Sequence, residues 1–253
     1  MSVPAFTALT TTVVAVWLAL YRLPFNDPAR RRRTALWLAG RTGLRPEAAF
    51  AVFGTVVYLV LGTLALGVLL ASTPLAFHQV FAVPAPGTAL VLLLAVLGTS
   101  SATILCVSLL YRVNPRADVP GEIARIQWIA SILALPRHCR WIVPAAAALF
   151  EEVLFRGVVL LGLGALGSGP AFALAFSTCL FAAGQVALVS TRTQAYVLGT
   201  SSLVLGVVGG LLTTATGGVP AALVLHMSFA GFYTNLGASP PPGVRTTPGR
   251  LSL

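Results

Sequence analysis

At 253 residues, 57% hydrophobic and 9% charged, the chain lies far from a soluble globular domain, which carries about 25% charged residues. Its sixteen basic residues, all Arg, outnumber six acids to give a formal charge of +10. They fall in the gaps between apolar runs, so the charge does not describe a nucleic-acid-binding face. Divided by the ~20 apolar residues a spanning helix needs, the length predicts an all-α polytopic transmembrane bundle of about seven spans, with six to eight as the range.

The predicted runs lie at about 4–21, 48–72, 88–111, 141–166, 169–188, 195–214 and 219–237. The first reads as a retained anchor rather than a cleaved leader, because no basic residue precedes it and Arg22 and Arg30 to Arg33 follow it. With the N-terminus outside, every Arg except Arg156 falls on one side, which the positive-inside rule makes cytoplasmic. The opposite loops, around 73–87, 167–169 and 215–218, carry no Lys or Arg. The absence of Lys suggests a GC-rich coding bias, and the expected location is a bacterial plasma membrane.

The stretch 119–135, VPGEIARIQWIASILAL, could add an eighth span, but Glu122 and Arg125 near one end favour an interfacial amphipathic helix. The tail from Gly237 is rich in Pro, Gly and Thr and is expected to be disordered. Three parts follow: N-terminal helices with basic loops (1–139), a core of helices (140–236) and the tail (237–253).

Four acids, Asp27, Glu47, Asp118 and Glu122, lie in loops or at a span edge. The other two, Glu151 and Glu152, are adjacent within an apolar run, LFEEVLFRGVVL, and the only intramembrane Arg, Arg156, follows them. Ionisable residues at membrane depth are costly and mark functional sites by default. On an α-helix Glu152 and Arg156 are i and i+4, with Glu on the better, N-terminal side for pairing. Glu151 points about 100° away from Glu152 and has no partner on its own helix. An unpartnered buried carboxyl is what a general base near neutral pH requires. Glu151 is therefore the expected base, with Glu152 and Arg156 a structural pair beside it. A bland alternative is that all three only tie this helix to its neighbours.

Gln185 and Thr178 share one face of the fifth run, and His226, with Tyr233 further along its face, lies in the seventh. For Gln185, plain helix-to-helix hydrogen bonding is as good a reading as function. For His226, a carboxylate base nearby favours function. His78 and His138 read as surface residues. Ser202, Gly206 and Gly210 form a small-xxx-small stripe that packing explains. Cys106, Cys139 and Cys179 are widely spaced and suggest neither a disulfide framework nor a metal site. No GxSxG, H-E-x-x-H or phosphate-binding loop occurs, so no metal and no cofactor are expected.

These residues resemble the CPBP intramembrane endopeptidases, which include type II CAAX prenyl proteases and bacteriocin-processing or immunity proteins. Glu151-Glu152-x-x-x-Arg156-Gly157 matches the first motif. Phe181-Ala-Ala-Gly-Gln185 stands where the family has F-x-x-x-H, and His226-Met-Ser-Phe-Ala230 where it has H-x-x-x-N. The resemblance covers about residues 140–236 and implies a helical transmembrane fold in which glutamate-activated water cleaves a peptide. Glu151 would activate water with the residue at 185, and His226 with the residue at 230 would stabilise the oxyanion. Here Gln185 and Ala230 replace His and Asn. An amide donates a hydrogen bond but cannot take up and return a proton, a loss typically of about 10²–10⁴ in rate. A missing oxyanion donor costs about a further 10²–10³, unless Thr178 or Tyr233 compensates.

Two readings remain open. One is an intramembrane endopeptidase acting on a membrane-associated or secreted peptide. The other is a family member without turnover that binds a peptide, confers immunity or regulates a partner. A proton-coupled transporter is a weaker third, since no inverted repeat is visible. Membrane lipid and a peptide or membrane-protein substrate are the expected partners; the oligomeric state is not legible.

Overall fold

The computed structural model describes residues 1–22 and 27–234, with side chains to 231. The tail expected to be disordered and the side chain of Tyr233 lie outside the described residues. The described chain is helical, with no strand among the described residues.

Each predicted run is a helix: α1 (Val3–Arg22), α3 (Pro46–Leu70), α4 (Thr88–Val113), α7 (Ile142–Glu151) running on through a π-helix (Glu152–Leu161) into α8 (Gly162–Ala165), α9 (Pro170–Ala187), α10 (Arg192–Thr216) and α11 (Pro220–Thr234). Five of them, α1, α3, α4, α9 and α10, are long and apolar enough to cross a membrane. The outer surface agrees with a lipid surround: Leu64, Leu90, Leu94, Ile104 and Leu105 are all at least 60% exposed, which a water-soluble protein does not tolerate over a contiguous area. The chain is an integral membrane protein.

Helix boundaries follow local chemistry that hydropathy does not report. The structure starts α10 at Arg192, earlier than the apolar run, because Thr191 and Gln194 form a capping box: Thr191 Oγ1 accepts from the Gln194 amide, and the Gln194 side chain accepts from the Thr191 amide. Between α1 and α3 lies a further helix, α2 (Pro28–Thr42), which begins at an Asp27 cap and ends at Gly43 in the left-handed region.

The stretch 119–135 is not one amphipathic helix. It breaks at Arg125–Ile126 into α5 (Val119–Ala124) and α6 (Gln127–Leu133), each too short to cross. Their apolar side is spent inside the protein, where Val119, Ile123, Ile126 and Ile129 pack with Val197 and Leu198 of α10. Gln194 Nε2 donates to the Glu122 carbonyl at 3.0 Å, and Thr191 Oγ1 donates to the Glu122 carboxylate at 2.8 Å. Glu122, read from sequence as a loop acid, thus anchors α5 to the start of α10.

α10 packs along α9 and also meets α11 and α4. The contact with α9 depends on glycine: a Cβ at Gly206 would lie 2.6 Å from Thr178 Cγ2. Close backbone approach through small residues is the usual basis of helix pairing in lipid. On the far side, the short 3-10 turn Phe77–Phe81 places fully buried Val80 against Gly157 of the π-helix and against Val219, and the Val219 amide donates to the Val80 carbonyl at 2.9 Å. This turn ties the helix bearing the two glutamates to the start of the helix bearing His226.

Candidate active site

Six helices place the site. Glu151 closes α7 and Glu152 opens the π-helix, so the two carboxylates straddle a change in winding. π segments are rare and are enriched at functional sites. Ser177 of α9 donates to the Phe155 carbonyl at 2.7 Å, satisfying one backbone group of this irregular turn.

Glu152 is fully buried and Arg156 is 1% exposed; Arg156 Nη1 lies 3.1 Å from Glu152 Oε1. The guanidinium also stacks on the Phe181 ring, 4.2 Å from its centroid. Phe181 in turn meets the His226 ring at 5.9 Å in an edge-on arrangement. The aromatic of the second motif is therefore a plate between the arginine and the imidazole.

His226 joins the two carboxylates. Its Nδ1 lies 2.7 Å from Glu152 Oε1, and its Nε2 lies 3.8 Å from Glu151 Oε2. The Glu152–Arg156 pair expected from helix geometry is present, but it does not stand apart from Glu151. An imidazole from α11 reaches both acids, so Glu152 belongs to the same polar chain as Glu151.

Nor is Glu151 without partners. Tyr58 of α3 donates its hydroxyl to Oε1 at 2.7 Å, and Gln185 Nε2 donates to the same oxygen at 3.1 Å. Oε2 is left facing His226. Tyr58 was not legible as a site residue, although a lone phenol in the apolar run VVYLVL is the kind of polar group at membrane depth that could have drawn notice. It is held by aromatic packing against Trp17, Tyr21 and Phe150, at ring separations of 4.8, 5.2 and 5.8 Å.

Glu151, Gln185 and His226 line a cavity of 420 Å³ together with Tyr58, Phe181 and Leu205. The same cavity reaches Arg22, Arg31 and Arg125, which stand at or near helix ends, so it runs from mid-span toward a basic face. Ala230 lines it with a methyl where the resemblance has an amide. Ser201 and Ser202 of α10 line it too, of which the sequence reading assigned Ser202 to packing and did not single out Ser201. Thr178 is buried against Gly206 away from the cavity wall. Among the described residues no group of three His, Cys, Asp or Glu side chains could hold a metal ion.

A mid-span carboxylate with two neutral donors on one oxygen and an imidazole beside the other, at the wall of an apolar cavity, is an arrangement that can hold and deprotonate a water. Residues 138–232 match the family model described as type II CAAX prenyl endopeptidase Rce1-like. No curated protein and no solved structure matches the chain. From the turn before α7 through most of α11, the chain is thus similar to the Rce1-like type II CAAX prenyl endopeptidases, consistent with the CPBP resemblance.

Proposed function

We propose that the protein is an intramembrane endopeptidase that hydrolyses a peptide bond of a membrane-associated or secreted peptide through water activated by Glu151. The observation that carries this reading is the shared imidazole, with Nδ1 on Glu152 and Nε2 facing Glu151 Oε2. With the Nδ1 proton donated to the arginine-paired Glu152, Nε2 is the nitrogen free to exchange a proton, the logic of a carboxylate-oriented histidine.

Tyr58 and Gln185 both donate to Oε1 and so direct Oε2 to the water. Water attacks the scissile carbonyl carbon as its proton passes to Glu151 Oε2. Collapse of the tetrahedral intermediate breaks the C–N bond, and the proton, carried on Glu151 or passed through His226 Nε2, leaves on the amine. In this scheme Gln185 positions the carboxylate and cannot itself shuttle a proton, so His226 takes that part in addition to facing the developing oxyanion. The orientation proposed is N-terminus outside and arginine loops cytoplasmic in a bacterial plasma membrane, supported by the charge asymmetry of the loops.

One observation favours a second reading, a binding or immunity protein without turnover: Ala230 offers no hydrogen-bond donor to an oxyanion. Cleavage of a quenched-fluorescence peptide library by purified protein in lipid, wild type beside Glu151→Gln, separates the two. Cleavage lost in the variant supports the endopeptidase. No cleavage by folded wild-type protein supports the binding reading and removes the first.

A further inference from the structure

We infer that the outward face of α2 is a docking surface for anionic phospholipid. α2 joins the end of one membrane-length helix, α1, to the start of another, α3, and packs chiefly on α3. Fifteen residues make it about 22 Å long, and its sequence PARRRRTALWLAGRT is too polar to cross. It therefore belongs at the membrane face where α1 ends and α3 begins.

Its inner face is the half-buried set around Arg31 and Leu38, and Arg31 lines the catalytic cavity. The opposite face is exposed and carries two kinds of group together. Arg32, Arg33 and Arg41 form no ion pair among the described residues, whereas Arg30 pairs with Asp27 at 3.4 Å. Between them Leu36 and Trp37 are 53% and 56% exposed, with the Arg41 guanidinium 3.8 Å from the Trp37 ring centroid.

From Arg22 to Glu47 there are seven arginines against two acids, so the complementary surface is anionic. Arginines beside exposed Trp and Leu are the composition of a helix seated at the headgroup boundary, with phosphates on the guanidinium groups and the apolar side chains at the acyl edge. Such arginines attract anionic lipid by roughly fivefold each. A soluble acidic partner would meet the charge but would leave Leu36 and Trp37 unexplained at the edge of two spans.

The test uses the full chain in nanodiscs of mixed phosphatidylcholine and phosphatidylglycerol, with brominated acyl chains on one lipid or the other. Subtracting Trp37→Phe isolates the fluorescence of Trp37. The expected result is quenching of Trp37 at least about twofold stronger when phosphatidylglycerol carries the bromine, with the difference shrinking at high salt. Arg32→Gln/Arg33→Gln/Arg41→Gln should equalise the two lipids, and the corresponding triple Arg→Lys variant should keep the preference. Equal quenching by both lipids in the wild type overturns the inference. So does no quenching of Trp37 by either, which would turn this face toward a soluble partner. Loss of the preference in the Lys variant also overturns it, because a helix merely dependent on arginine for structure would behave in that way.

Discussion

The Tyr58 hydroxyl donates to Glu151 Oε1 at 2.7 Å across ninety-three residues of chain. This contact attaches the N-terminal helices, outside the family match, to the acid on which the proposed chemistry depends. It also shares Oε1 with Gln185, so that one carboxylate oxygen is fully engaged and the other is left for chemistry.

Tyr58→Phe removes the shorter of the two bonds while keeping the ring and its aromatic neighbours. A hydrogen bond to a charged group contributes about 1.5–3 kcal/mol, so kcat should fall by roughly 10–100-fold with little change in KM. Steady-state cleavage of a fluorogenic peptide checks the split. A rise in KM alone would show that Tyr58 contacts substrate rather than orienting Glu151.

Gln185→His introduces an imidazole at the cavity wall beside Glu151. If proton transfer limits the proposed reaction, turnover should rise by about 10²-fold, within the usual contribution of a general acid or base. Ala230→Asn should add to this by supplying an oxyanion donor. Unchanged turnover in the double variant would mean that His226 already carries the proton.

Arg156→Met leaves Glu152 buried with only His226 beside it. Breaking a buried pair on one side typically costs about 3–5 kcal/mol, and the thermal midpoint in detergent should drop accordingly. Arg156→Met/Glu152→Leu should recover much of that loss, since no uncompensated charge remains, yet stay inactive because His226 has lost its orienting carboxylate. Recovery of activity along with stability would show that the Glu152–Arg156 pair is only structural.

Gly206→Val would push a side chain into Thr178, where even a Cβ comes within 2.6 Å. Overpacking of this kind costs about 1–3 kcal/mol. Because α9 carries both Phe181 and Gln185, activity should decline with stability. A Ser in place of Val should be markedly milder, and differential scanning fluorimetry of the two variants provides the comparison.

The seven apolar runs were legible because lipid demands long, nearly uncharged helices, and hydropathy alone registers that demand. The acids and Arg156 were legible because ionisable groups inside such helices stand out against their surroundings. Helix ends were less legible: α10 starts where Thr191 and Gln194 cap it, and the 119–135 stretch bends and packs inward, both effects of hydrogen bonding and of neighbours that hydropathy does not register. The pairing of Glu152 with Arg156 was legible, but its link to Glu151 was not, because a single-helix wheel contains neither the π-turn nor the imidazole arriving from α11.

The sequence by itself determined the membrane class, the all-helical bundle and the presence of a costly charged cluster at mid-span, since each follows from composition and local spacing. Tertiary structure alone decided the partners of that cluster. Tyr58 on α3, Gln185 on α9 and His226 on α11 converge on Glu151 because close-packed helices, held together through small residues such as Gly206, bring distant positions together: the first two within hydrogen-bond reach and the imidazole at 3.8 Å. A hydrogen bond depends on separations of a few tenths of an ångström, and spacing along a chain does not encode distance between helices.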